Sequence, residues 1–317
     1  MSNDDYTVAF APASIGNVAV GFDMLGLAIA GVGDRVFARR TESGDVELKE
    51  VQDAQGNVHP FLSGKTDENT ASIAAQSLWS ASGEAGGIEL IVRKGIPLQS
   101  GMGSSAASAV AAVVAVNALL ETPHDTRSLL EHALAGEKFA SGALHADNVA
   151  PSLVGGLVLC PNSLLPDTVS LAVPDGISSV LVHPELQVNT AESRKGLARG
   201  VTIDQWLTQQ GYLAGFITAC ANGDVDLFGR CLRDVVIEPQ RAAAVPCFGA
   251  VKDSAMNAGA LGCSLSGRGP SMFALCRDGQ AQNIATAMEQ ACRKMGYQCE
   301  SWISPMTAAG AHVESSP

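Results

Sequence analysis

The stretch from Gly101 through Met102, Gly103, Ser104, Ser105 and Ala106 to Ala107 sets two glycines and two serines ahead of a long alanine-rich run. Residues of these types suit the holding of an anion. Gly101 and Gly103 let the backbone turn tightly and let a ligand come close. Ser104, Ser105 and Ala106 stand where the first turn of a helix leaves its N–H groups without intrahelical partners. Those amides, with the positive end of the helix dipole, attract phosphate. The same residues equally suit a serine cap on a core helix. No GxxxxGK[ST] occurs and no lysine follows Gly103 for a long way, so this is not a Walker loop. The GxG spacing followed by serines is not a dinucleotide fingerprint either.

The neighbouring elements position this loop. Ile88 to Val92 predicts a short strand leading to it, and a helix is expected from about Gly103 to Leu120. Start signals place another helix near Asn69, and Thr126 to Phe139 reads as a third, with Leu129, Leu130, Ala133 and Leu134 on one face. Tyr6 to Ala11 and Val18 to Ala30 read as strand material, and "HADNVAPSLVGG" as a polar then glycine-rich segment before a strand at Leu157 to Cys160. In the second half, strands are expected near 168–173, 179–183, 263–266, 271–276 and 298–303, and helices near 203–221, 225–232, 248–258 and 281–295. Strands and helices alternate without a strict βαβ repeat, which predicts an α+β fold of two domains, 1–160 and 161–317.

Bulk composition bounds the function. A net charge of −12 argues against nucleic acid or an anionic membrane as the partner. The run Ala106 to Leu120 carries Ser108 and Asn117 and suits a buried helix better than a membrane span. The eight cysteines form no CxxC and lie mostly among apolar neighbours, which predicts buried, reduced thiols. The N-terminal residues show no secretory pattern, so a cytoplasmic protein is expected.

"PLQSGMGSSAA", beginning at Pro97, Leu98, Gln99 and Ser100, resembles the phosphate loop of the galactokinase, homoserine kinase, mevalonate kinase and phosphomevalonate kinase (GHMP) superfamily, with Met102 where leucine is usual. "PASIGNVAVGFDMLGLAI" and "GALGCSLSGRGPSMFAL" resemble its first and third motifs, in the right order. Four segments, "GNVAVGFD", "HADNVAPSLVGG", "VNTAESRK" and "EPQRAAAVPCF", are similar to those of the homoserine kinase family. The resemblance implies a two-domain GHMP kinase fold, with an N-terminal half like ribosomal protein S5 domain 2 and a ferredoxin-like C-terminal half. It also implies a homodimer and transfer of the γ-phosphoryl of ATP to the side-chain hydroxyl of L-homoserine, for threonine synthesis. Another alcohol of the shikimate or mevalonate class, or a catalytically silent sensor of the same fold, are the alternatives.

On this resemblance the loop from Pro97 to Ala107 cradles the phosphates, while Asn69, Thr70 and an apolar wall at Val58 to Leu62 face the adenine. Phosphoryl transfer is mainly positioning and charge stabilisation, and the cation the loop lacks comes from Mg²⁺. Ser105 and Glu137 are its implied protein ligands. The substrate carboxylate wants a planar bidentate donor, for which Arg194 and Arg241 are the candidates, with Thr190 beside them. Asp23 suits the ammonium, with Asn17 as a neutral neighbour. His145, Asp147 and Asn148 meet the hydroxyl end. Asp147 has the chemistry of a general base, yet the family works without a dedicated one. Asn148 then orients the hydroxyl, Asp147 binds or braces, and His145 shapes the loop. Arg268, bracketed by glycines, is within a turn that closes the phosphate site.

Overall fold

The computed structural model describes residues 6–42, 44–141, 145–186, 197 and 200–315. It contains, in chain order, β1 (Thr7–Gly16), β2 (Leu25–Thr41), β3 (Val46–Gln52), α1 (Thr70–Ser82), β4 (Gly87–Arg93), α2 (Ser104–Asn117), α3 (Thr126–Ser141), α4 (Ala146–Val154), β5 (Leu157–Leu159) and β6 (Val169–Leu171). There follow β7 (Ile177–Pro184), α5 (Ile203–Asn222), α6 (Val225–Cys231), α7 (Glu238–Arg241), α8 (Phe248–Asn257), β8 (Gly262–Leu265), β9 (Met272–Arg277), α9 (Ala281–Lys294), β10 (Cys299–Pro305) and β11 (His312–Glu314).

Two sheets organise these elements. The larger runs β11-β1-β2-β4-β3, with β5 pairing β2 and β6. Its strands are antiparallel except β3 beside β4. Ala9, Ala11 and Ala13 of β1 are fully buried, and such small side chains let α2 and α4 lie close against the strand. Helix α2 is the centre of this core: from Ala106 to Val113 every residue is buried, as its uninterrupted alanine and valine content demands. The smaller sheet, β10-β7-β9-β8, is wholly antiparallel and carries α8 and α9. The expected division at residue 160 falls just after β5, but β6 and β11 from the second half both pair into the first sheet.

Most expected elements form with ends shifted by a few residues. Two differ in kind. The HADN segment is not an irregular connection: it folds as α4, with Pro151 inside it. Proline removes the N–H that would bond the Asp147 carbonyl, and the backbone of β2 lies against that carbonyl instead. A Cβ on Gly26 would come within 1.9 Å of it, so only glycine fits there. The second difference is at Val18 to Ala30, where the strand begins only at Leu25. Ahead of it Asn17, Val18 and Ala19 all take left-handed backbone conformations, with φ of 69°, 44° and 57°. Three such non-glycine residues in succession are costly. The turn is held by the Gly21 N–H donating to the Asn17 carbonyl at 2.9 Å, and by burial of Val18 and Val20. All eight cysteines are free, and seven are buried, as their apolar neighbours implied. No helix among the described residues is long and apolar enough to cross a membrane.

Candidate active site

A cleft of about 530 Å³ opens between the two halves, at the N-terminus of α2. Gly103 precedes the helix with φ of 71°, and a Cβ there would strike the Ser14 hydroxyl at 2.3 Å. Glycine therefore lets the loop turn directly onto β1, where the Ser14 N–H donates to the Met102 carbonyl at 3.0 Å. The expected loop residues divide by this geometry. Leu98, Gln99, Ser100, Gly101, Gly103, Ser104 and Ser105 line the cleft, whereas Met102, Ala106 and Ala107 are fully buried beneath it and act as its floor. Pro97 leads into the turn without lining the cleft.

Two charged groups brace the loop from below, and sequence reasoning missed both. Lys94 donates to the Ser104 carbonyl at 2.8 Å and to the Ser108 hydroxyl at 2.6 Å, and forms a close ion pair with Asp34. Asp34 is fully buried; it also accepts from the Gly95 and Ile96 N–H groups at 2.9 and 3.1 Å and from the Ser108 hydroxyl at 2.6 Å. The signal was present: Asp34 within the mostly apolar "AIAGVGDRVFA", and a lysine nine residues before Gly103 rather than after it. Lys94 also lines the cleft, so the loop does have a lysine, delivered from β4's end.

On the adjoining wall, Asn69 caps α1, its side-chain oxygen accepting from the Ala71 N–H at 2.9 Å. Thr70, Leu62, Ser63 and Glu68 line the cleft with it. Of the expected apolar wall only Leu62 does so; Val58 and Phe61 point outward, 68% and 86% exposed. Leu98 and Phe139 supply apolar surface instead, and neither was foreseen for a base. Across the loop, the Ser105 hydroxyl donates to the Glu137 carboxylate at 2.7 Å, and Glu137 is buried. Helices α2 and α3 thus bring together the two residues paired in the sequence reading.

At the cleft's other end, Asp23, His145 and Asp147 have polar atoms all within 4.8 Å of one another, and the His145 Nδ1 lies 3.6 Å from Asp23. Burial, joined by the charge of Asp23, pushes the Asp147 carboxyl up to about 6. Asn148 sits beside it, donating to Asp147 at 3.3 Å and accepting from the Ser14 hydroxyl at 3.0 Å. Its amide orientation is fixed from both sides. Asn17 lines the cleft beside Asp23. Its side chain is engaged with protein, accepting from the Asp23 N–H at 3.0 Å and donating to the Gly267 carbonyl at 3.1 Å. It ties the first glycine-rich segment to the third.

Arg241, at the end of α7, is buried and its Nη1 donates to the Gly267 carbonyl at 2.7 Å. Its Nε is buried without a partner among the described residues. Burial, then the nearby charge of Arg268, lowers its pKa. Arg268 lines the same cleft. The turn that carries it closes on the loop: the Ser266 hydroxyl donates to the Gly101 carbonyl at 2.7 Å, and the Ser271 N–H to the Ser100 carbonyl at 3.1 Å. Thr190 and Arg194 lie outside the described residues.

Comparison with known proteins adds to this geometry. Residues 69–156 match the GHMP kinases N terminal domain and residues 216–294 the GHMP kinases C terminal domain. Homoserine kinase of Xanthomonas campestris pv. campestris (strain B100) is 42% identical, over 96% of this chain and 93% of that protein. Homoserine kinase of Chlorobium phaeobacteroides (strain BS1) is 39% identical, over 96% and 98%. The crystal structure of homoserine kinase from Cytophaga hutchinsonii superposes with a TM-score of 0.92 at 37% identity, over 99% of both chains. A galactokinase of Lactococcus lactis shares the fold, with a TM-score of 0.70 at 15% identity.

Proposed function

The chain belongs to the homoserine kinase family of GHMP kinases, and from that premise we propose that it transfers the γ-phosphoryl of ATP to the side-chain hydroxyl of L-homoserine. The observation that carries the substrate is the buried Arg241 guanidinium, whose Nε has no partner among the described residues, lining a cleft that also holds the acidic group of Asp23 and Asp147. A buried donor left unpaired is costly, and a carboxylate relieves it with a charge-assisted bond. An ammonium beside Asp23 completes the head group of an α-amino acid. Shikimate and mevalonate carry a carboxylate but no ammonium to set against the acids.

The free amides of the first turn of α2 hold phosphate oxygens, and Lys94 fixes that turn from beneath. Ser105 and Glu137 offer a hydroxyl and a carboxylate oxygen 2.7 Å apart, a hard-oxygen pair that fits Mg²⁺. When bound, the ion neutralises charge on the phosphates. Asn148, oriented by Ser14 and Asp147, directs the acceptor hydroxyl. Asp147 titrates near neutrality and stands next to that hydroxyl's position, so its ionised form steadies the proton as the oxygen attacks. A homodimer is the assembly we infer from the family, checked by sedimentation.

The direct test is ADP release from Mg-ATP with L-homoserine, D-homoserine, shikimate and mevalonate presented separately. Turnover that requires L-homoserine is expected. Turnover with a different alcohol overturns the substrate, and binding of ATP without any turnover replaces the enzyme with a silent sensor.

A further inference from the structure

The Arg241 guanidinium is fixed on two sides. One edge donates through Nη1 to the Gly267 carbonyl at 2.7 Å. Its face lies over the Phe22 ring, with Cζ 5.0 Å from the ring centroid. A single hydrogen bond leaves a planar fork free to swing about it, and bidentate recognition of a carboxylate fails when the plane swings. The aromatic face removes that freedom, and it attracts the cation more strongly where water is excluded. Arg241 is 6% exposed, so water is largely absent. The charge of Arg268 works against Arg241 at this place, while Asp23, Asp234 and Asp147 favour its charge.

Phe22 is not needed to fill the core. It is only half-buried, while Val18 and Val20 of the same turn occupy the interior. It directly precedes Asp23, which itself takes a left-handed conformation with φ of 54°. One dipeptide therefore presents a ring to the cation for the substrate carboxylate and a carboxylate for the substrate ammonium.

We propose that Phe22 is a positioning residue, setting the plane of the Arg241 guanidinium so that its fork meets the carboxylate of an α-amino acid. This rests on the assignment of Arg241 to the substrate carboxylate made above. The test is steady-state kinetics of Phe22→Leu and Phe22→Tyr in the full chain, each also in an Arg241→Lys background, with calorimetric binding of L-homoserine. Phe22→Leu is expected to raise the KM for L-homoserine about tenfold, with the KM for ATP within about twofold. Phe22→Tyr, which keeps the ring, restores the KM. In the Arg241→Lys background, Phe22→Leu adds less than about twofold, because its effect passes through the guanidinium. A full effect persisting in that background, failure of tyrosine to rescue, or a loss carried by the KM for ATP overturns the proposal. If the unsubstituted protein binds L-homoserine without turning it over, the kinase reading fails while the affinity ratio of the Phe22 variants still judges this residue. If it does not bind L-homoserine, both fail.

Discussion

At the scale of single residues, two carboxylates make opposite demands. Glu137 is paired with the Ser105 hydroxyl, and Glu137→Gln keeps its shape while removing the charge a metal ligand needs. Turnover is expected to fall at least about 100-fold, with L-homoserine affinity, measured by calorimetry, changed only modestly. Near-normal turnover removes Glu137 from the metal site. Asp147 is instead a carboxylate held uncomfortably. Its native pKa of about 6 exceeds the ordinary value of 3.8, so the folded chain keeps this proton longer than the unfolded one. Its stabilising contribution is complete below about pH 4 and is lost as pH rises to about 6 and beyond. Asp147→Asn should therefore raise stability at pH 7, on the order of 3 kcal/mol, and leave it unchanged at pH 4, as read by urea unfolding at both. The same substitution should depress turnover and abolish its acid limb near pH 6. A gain equal at both pH values refutes the shifted ionisation. Glu137 and Asp147 were legible as types in the sequence; that one charge is welcome and the other imposed depends on burial, which the sequence does not display.

At the scale of elements, the phosphate loop depends on what lies under it. The Lys94–Asp34 pair joins the end of β4, the middle of β2 and the first turns of α2. Asp34→Asn leaves a buried ammonium without its counter-charge, and the expected cost is about 3–5 kcal/mol, measured as a shift in the urea midpoint. Replacing both partners with apolar residues should recover part of it. A cost below about 1 kcal/mol would mean that water reaches Lys94. Sequence reading found α2 because its signals are local, though the cap it allowed was a serine and the structure has Gly103 there. It missed the pair because its members are sixty residues apart and meet only when β2 and β4 align Arg35 with Arg93. It also missed α4, which carries Pro151 inside it and packs so closely on β2 that only glycine fits at position 26.

For the whole molecule, three ordered glycine-rich segments made the fold legible from the sequence, yet its closure was not. β11 leaves the second half and pairs against β1, Val8 with Glu314 and Phe10 with His312, and the Arg35 guanidinium meets Glu314 at 2.8 Å. Nothing local in "HVE" announces a strand, since its pattern carries meaning only beside a free edge. Ending the chain after residue 309 should lower Tm by roughly 5 °C and make thermal unfolding depend on protein concentration, as uncovered β1 edges meet one another. An unchanged Tm would show that the strand is ornamental.

That pairing also sets an order of events during synthesis. The strand that needs covering leaves the ribosome about three hundred residues ahead of its cover, because residue 8 waits for residue 314. Until residue 314 emerges, the nascent first half carries an open edge next to its completed helices, a template for other chains emerging on the same message. The cell meets this hazard before the enzyme exists, and slow or crowded translation lengthens it.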